Sequence, residues 1–120
     1  MRFMMLMIPL GYETAPPDVQ LDPERVKAMM KYNEALKEAG VLIALDGLHP
    51  PSVGARVSFA TGKPVVTDGP FTEAKEIVGG FALIQAKSKG DAIEYTKTFM
   101  KIAGDGEVEL RQICDASPIP

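Results

Sequence analysis

Three short apolar runs, at residues 2–8, 41–45 and 77–86, lack the spacing of an amphipathic helix. Runs of this kind are typical of strands that are buried on both faces of a sheet. A sheet with two apolar faces needs a cover on each side, and this requirement restricts the folds open to the chain.

One segment with helical spacing lies between the first two runs, and a second follows the third run. The spacing predicts one helix over 24–39, which begins after the N-capping residue Asp22 and stops at Gly40. A second helix is predicted to begin after Ser88, which opens a capping box, and to stop at Gly104. Strand and helix therefore alternate twice along the chain.

The apolar residues of the first helix predict which of its faces meets the sheet. They recur at helical spacing and comprise Val26, Met29, Met30, Leu36 and Ala39. We expect this face to pack on the sheet, with Met29, Met30 and Asn33 turned inward.

Alternating sequence predicts a hairpin and a last strand, each with one polar face. The hairpin comprises strands at 55–60 and 65–67 around a turn at 61–64, and the last strand covers 107–114. In the hairpin, Val57 and Phe59 alternate with Arg56 and Ser58. In the last strand, Val108 and Leu110 alternate with Glu107, Glu109 and Arg111.

The order of elements, β-α-β-β(β)-α-β, predicts one α+β domain over residues 1–120 with a ferredoxin-like plan. Right-handed crossovers place both helices on the same face of such a sheet. Because three strands are apolar on both faces, a second copy packed sheet against sheet is the simplest cover for the other face. We therefore expect a homodimer, with a partly wet cavity bordered by Arg56, Ser58, Glu109 and Arg111.

Composition excludes several classes of partner. The formal net charge is −3 and the 13 Lys and Arg residues form no cluster, so direct binding to nucleic acid or to an anionic membrane is not expected. With one cysteine, Cys114, and one histidine, the chain can form neither an internal disulfide nor a four-ligand zinc site. Motifs for phosphate binding and for metal-dependent hydrolysis are also missing. We expect a cytoplasmic protein without cofactor or metal, in which Cys114 is a small core residue.

Two residues are candidates for proton transfer. His49 follows an apolar strand and precedes two prolines, so it could face a cleft, or it could be a strand-end histidine without chemistry. Asp68 begins the run Asp-Gly-Pro-Phe, which could present a carboxylate to a ligand. The same run could simply end the hairpin as a turn in which Gly69 takes a positive φ.

Five further residues are candidates for ligand binding. Arg56 and Arg111 could clamp a carboxylate or phosphate, or they could pair with glutamates of the last strand. Phe71 could line the cleft or fill the core. Glu73 and Glu76 could supply a general acid or base, or they could belong to a solvated helical turn over 72–76.

The run DGPFTEAKE, from Asp68 to Glu76, and the Gly79-Gly80-Phe81 that follows resemble the signature of the DGPF branch of the YCII-related proteins. Further similar positions are Leu48-His49-Pro50, Arg56, Val66-Thr67, Val108-Glu109 and Arg111. The resemblance implies a ferredoxin-like subunit that pairs into a dimeric α/β barrel. It also implies an association with alternative sigma factors.

One departure from the resemblance concerns catalysis. YCII-related proteins are suspected enzymes because many of them share a histidine in the first helix and an aspartate farther on. The predicted helix over 24–39 contains no histidine, and Ala103-Gly104-Asp105-Gly106 stands where those relatives carry an Asp-Pro step. The suspected catalytic pair is therefore not carried over to this chain.

Three hypotheses about function follow. The first is a homodimeric small-molecule-binding protein or a cofactor-free enzyme on a small acidic or aromatic substrate. In it, Arg56 and Arg111 anchor an anion, His49 or Asp68 moves a proton, and Asp68, Arg56 and His49 line one cavity. The second is a regulatory module that contacts a protein in sigma-factor-dependent transcription. The third is a catalytically inactive relative.

Overall fold

The computed structural model describes residues 1–16, 18, 20, 22–69 and 77–114. The strands are β1 (Arg2–Pro9), β2 (Leu42–Gly47), β3 (Ala55–Ala60), β4 (Lys63–Asp68), β5 (Gly80–Gln85) and β6 (Gly106–Gln112). The α-helices are α1 (Pro23–Glu38) and α2 (Lys89–Ala103), and short 3-10 helices cover Tyr12–Thr14 and Pro51–Val53. The predicted order of elements is confirmed.

Four of the strands form an antiparallel sheet in the order β2-β5-β1-β6. Phe3 lies opposite Ile84 and Met5 lies opposite Ala82, and all four side chains are buried under the two helices. The order of the strands and the single helical layer are those of a ferredoxin-like α+β fold, as predicted.

The helix starts follow the local chemistry predicted from the sequence. The Asp22 carboxylate accepts a hydrogen bond from the Glu24 backbone N–H at 3.1 Å. The Ser88 hydroxyl accepts one from the Asp91 backbone N–H, also at 3.1 Å. These caps satisfy N–H groups that have no partner inside a helix. Among the described residues, no helix is long and apolar enough to cross a membrane.

The predicted inward face of α1 is partly wrong. Met30 is 66% exposed, whereas Met29, Tyr32 and Leu36 pack against the core. The Tyr32 hydroxyl donates a hydrogen bond to the Tyr95 backbone carbonyl of α2 at 3.0 Å. This contact fixes the rotation of α1 about its axis. The spacing of apolar residues does not predict where Tyr95 lies in space.

The second face of the sheet is apolar at its centre and charged along one edge. The register places Met4 opposite Leu83 and Leu6 opposite Phe81 on this face. The edge strand β6 adds three charged residues beside them, Glu107, Glu109 and Arg111. Because both helices lie on the other face, β1 and β5 are apolar on both faces as predicted, whereas β2 places Asp46 opposite Phe81 on the second face.

The hairpin of β3 and β4 is a separate two-stranded sheet, which differs from the expected arrangement. A two-residue turn, Thr61-Gly62, joins the strands, and every residue of both strands is exposed. Pro50 and Pro51 follow β2 and lack the N–H groups needed to extend its ladder, so the chain leaves the sheet before β3 begins. The described chain therefore does not place Arg56 and Ser58 in one sheet with Glu109 and Arg111.

The paired glycines that interrupt the run 77–86 lie where neighbouring segments approach closely. A Cβ atom on Gly79 would lie 2.8 Å from the ring of Pro9. One on Gly80 would lie 3.0 Å from the Asp46 carbonyl oxygen. Neither position has room for a side chain, and β5 begins at Gly80.

Candidate functional site

A groove of about 430 Å³ lies beyond the adjoining ends of β2 and β5. It is lined by residues that leave β2, residues that lead into β3 and residues that enter β5: Leu48, His49, Pro50, Pro51, Val53, Gly54, Ala55, Ile77 and Val78. Among these lining residues only His49 has a polar side chain. The volume falls within the range of small-molecule sites, about 300–1,000 Å³.

The backbone that leads to His49 is held at two points. The Leu48 N–H donates a hydrogen bond to the Gly79 carbonyl at 2.9 Å, and the Leu48 carbonyl accepts one from the Tyr12 hydroxyl. Burial raises the pKa of Tyr12, which favours the protonated phenol that donates this bond. Pro50, which is fully buried, restricts His49 to an extended backbone. The backbone from which the His49 imidazole projects is therefore held in place at the groove.

Gly69 of the Asp-Gly-Pro-Phe run packs against the backbone of the groove wall. Its N–H donates a hydrogen bond to the Gly54 carbonyl at 2.8 Å. A Cβ atom on Gly69 would overlap the Pro51 carbonyl oxygen and would lie 2.6 Å from the Pro51 carbonyl carbon. The φ angle of Gly69 is not positive, so that part of the turn prediction is wrong. Glycine is needed here because another backbone segment approaches closely.

The Ser52 hydroxyl is an unusual feature of the same wall. Its oxygen is buried and has no hydrogen-bond partner in the part of the chain that the structure describes. Ser52 lies between Pro51 and Val53, both of which line the groove. Buried hydroxyls are normally paired, so the Ser52 oxygen is an exception, but Ser52 is not among the residues that line the groove.

Asp68 and Arg56 do not gather around His49 in the described chain. The hairpin register places Arg56 opposite Thr67 and Asp68 opposite Ala55, so the two side chains point to opposite faces of the hairpin. Both are exposed, and neither lines the groove. A single described chain thus does not form the expected cavity lined by all three residues.

Arg111 lies on the second face of the sheet, opposite Met4. Its guanidinium is 3.6 Å from the Glu109 carboxylate, and the two side chains are 69% and 53% exposed. This is the pairing expected as the alternative to an anion clamp. Such an exposed pair contributes at most about 1 kcal/mol, so a ligand anion could compete for the guanidinium. Phe71, Glu73 and Glu76, like the predicted turn over 72–76, lie outside the described residues.

Comparison with known proteins identifies the family. The family model for the YCII-related domain matches residues 1–117, nearly the whole chain. The chain belongs to the YCII-related family. An uncharacterised protein of Rhizobium meliloti is 32% identical over 82 residues, which are 68% of this chain. The match covers 66% of that protein's own length, slightly less than two thirds. The DGPF branch stays a prediction.

Three residues of the groove region in this YCII-related domain were not predicted from the sequence. Tyr12 and Ser52 gave no signal, because their roles depend on contacts with distant segments or on burial. Pro51 was predicted only to end a strand. The consecutive prolines were nevertheless an available signal, since two rigid apolar residues at a strand end are well suited to form a packed wall.

The possible metal ligands and the single thiol can be placed in the described part of the YCII-related domain. Within residues 1–16, 18, 20, 22–69 and 77–114, no group of three His, Cys, Asp or Glu residues could hold a metal ion. Cys114 is exposed rather than buried in the core, so its predicted location is wrong. It follows the end of β6, beyond the residues that the helices cover.

Proposed function

We propose that this YCII-related domain is a homodimeric small-molecule-binding protein whose ligand occupies the groove beside His49. The groove carries the proposal: it holds about 430 Å³, its walls are apolar, and one imidazole borders it. Small-molecule sites combine such walls with a few polar groups that orient the ligand. A small acid with an aliphatic or aromatic body fits this arrangement, with its acid group beside His49.

A proton-transfer reaction at this site would depend on His49. Imidazole acts as an acid and as a base near neutral pH, and His49 is the titratable side chain among the groove residues. Such a reaction needs no cofactor. Asp68 and Arg56 would require a second copy or a changed loop to reach the ligand. Phe71, Glu73 and Glu76 stay candidate ligand-binding residues on the sequence alone.

The dimer is supported by the second face of the sheet. Met4, Leu6, Phe81 and Leu83 form an apolar centre on the face opposite to the helices, where each side chain is half-buried in the single chain. Monomeric proteins rarely leave a large apolar patch open to water. A second copy related by a two-fold axis would cover this face with the same four residues. Arg111 would then border the interface.

Sedimentation analysis tests the dimer. We expect the wild-type chain to sediment as a dimer and Leu83→Lys to sediment as a folded monomer, with an unchanged far-ultraviolet circular dichroism spectrum. Gln85→Lys is the matched control, because Gln85 lies on the same face of β5 but is exposed at the strand end. A wild-type monomer would contradict the dimer.

A thermal-shift screen with small aliphatic and aromatic carboxylates tests the ligand site. A ligand present at about 100 times its Kd stabilises the folded state by about 2.7 kcal/mol. We expect His49→Gln to lose this stabilisation and Lys89→Gln, on the helical layer, to keep it. If Arg111→Gln loses it and His49→Gln keeps it, the ligand binds at the sheet face and the groove proposal fails.

A regulatory contact module is the second candidate function, and the exposed apolar residues of the hairpin favour it. Val57 and Phe59 are 66% and 74% exposed. A cytoplasmic sigma factor is the partner that the DGPF resemblance suggests. Titration of a purified alternative sigma factor with wild-type chain and with Phe59→Ser tests this candidate. Binding that is lost in the variant would favour it, and no binding to the wild type would remove it.

A further inference from the structure

The hairpin of β3 and β4 leaves an apolar face open to solvent. Phe59, Val57 and Val66 are 74%, 66% and 65% exposed. An isolated two-stranded hairpin is only marginally stable in water unless something packs on it. The radius of gyration is 16.2 Å, against about 13.6 Å for a compact chain of this length. The hairpin is a sheet of its own in which every strand residue is exposed, so its apolar face needs a cover that the described chain does not supply.

The two faces of the hairpin differ in chemistry. The register places six residues on one face, namely Ala55, Val57, Phe59, Pro64, Val66 and Asp68. This face is apolar, with one carboxylate at its base. The opposite face carries the cations Arg56 and Lys63. A surface that covers the apolar face should therefore be apolar, with positive charge on its border.

A surface of this chemistry lies on the same chain, between α2 and the edge strand β6. A groove of about 400 Å³ there is lined by Ile93, Met100, Val108 and Leu110 and by the cations Lys97 and Lys101. β6 is at the edge of the sheet, so the groove is open on one side. Ile93 and Lys101 lie two turns apart on α2. These two turns are at least half as long as a hairpin strand.

Symmetry brings the hairpin and this groove together between two copies. β2 and β6 occupy opposite edges of the sheet. When two such sheets pack face to face about a two-fold axis parallel to the strands, β2 of one copy lies over β6 of the other. The hairpin follows β2 in sequence. It therefore emerges at the β6 edge of the second copy. Because Val108 and Leu110 face the helices, the hairpin must pass round this edge to reach the α2/β6 groove.

We propose that the hairpin of each copy packs its apolar face into the α2/β6 groove of the second copy. This inference rests on the homodimer of the proposed function. Phe59 fills the apolar part of the groove, and Asp68 lies near Lys97 or Lys101. Ala55, at the base of the hairpin, lines the groove beside His49. Docking of the hairpin fixes this wall, so the second copy completes the ligand site.

Cross-linking between two tagged forms of the full chain tests the contact. Both forms carry Cys114→Ser, because Cys114 is exposed; one adds Phe59→Cys and the other adds Met100→Cys. The two are mixed and treated with a short bis-maleimide, and only the product that contains both tags is counted. Ser58→Cys replaces Phe59→Cys in the matched control, since Ser58 is adjacent but on the opposite hairpin face. We expect several-fold less product from the control.

Sedimentation of the same proteins separates the possible failures. A wild-type monomer overturns the dimer and the docked hairpin together. If the wild type is a dimer but the Ser58→Cys form gives as much cross-linked product as the Phe59→Cys form, the docked hairpin is overturned and the dimer stands. Phe59→Ser supplies a second readout, with an expected several-fold increase in the Kd of the dimer. An unchanged Kd would mean that another molecule covers the hairpin, and it would also overturn the proposal.

Discussion

Gly69→Ala is the substitution that most directly tests the packing of the groove wall. The added Cβ atom would overlap the Pro51 carbonyl oxygen and would lie 3.2 Å from the Gly54 carbonyl oxygen. Both neighbours belong to the backbone, so no flexible side chain can move aside. The base of β4 would have to separate from the wall and would break the hydrogen bond from Gly69 to Gly54.

The size of the effect follows from three contributions. Forcing a methyl group into a packed site costs about 1–3 kcal/mol, and loss of the hydrogen bond costs about 1 kcal/mol. Replacing glycine also lowers the conformational entropy of the unfolded chain, which stabilises the folded state by about 0.4–1 kcal/mol. We expect a net loss of about 2 kcal/mol in the free energy of unfolding, or about 8 °C in melting temperature for a domain of this size.

Melting curves of wild type, Gly69→Ala and Gly90→Ala would measure this loss. Gly90 is the matched control, because a Cβ atom there meets only the Ser88 hydroxyl oxygen at 3.7 Å. In the first turn of α2, alanine should raise stability by at most about 1 kcal/mol. If Gly69→Ala melted within a degree or two of wild type, the close approach of Gly69 to Pro51 would be refuted.

Ile84 is fully buried, so Ile84→Ala should lower the free energy of unfolding by about 2–5 kcal/mol, seen as a lower urea midpoint. Ser88→Ala removes the N-cap of α2 and should cost about 1 kcal/mol, whereas Ser52→Ala removes an unpaired buried hydroxyl and should leave the melting temperature unchanged or higher. Burial raises the pKa of Tyr32; its contribution to stability is therefore present below about pH 10 and is lost as the pH rises through the raised value. The urea midpoint of the wild type should therefore fall above about pH 10. An equally steep fall in Tyr32→Phe would show that the buried Tyr32 phenol is not the cause.

The fold was largely predictable because its signals are local. The caps at Asp22 and Ser88 fix where the helices begin, and the alternation in β6 fixes which of its residues face the helices. The rotation of α1 was not predictable, because it depends on the contact between Tyr32 and Tyr95. These residues lie far apart in sequence, and apolar spacing alone favoured Met30 for the inward face.

The candidate site was less predictable because it is built from three separate segments. His49 was identified as a candidate, but its surroundings include residues that enter β5 and the phenol of Tyr12. Arg56 and Asp68 were expected beside it, and the hairpin register instead points them in opposite directions. The sequence contains the alternation that separates them, yet it does not show that the whole hairpin leaves the sheet.

The hydrogen bond between Leu48 and Gly79 has a consequence for how this domain can change. The chain leaves the sheet at Leu48 and returns to it beside the same point, since Gly47 lies opposite Gly80. The hairpin, the wall of Pro50 and Pro51, and the run that begins at Asp68 all belong to this single excursion. They form a module at one insertion point, and its length and residues can vary without altering a strand pairing or a helix crossover of the sheet.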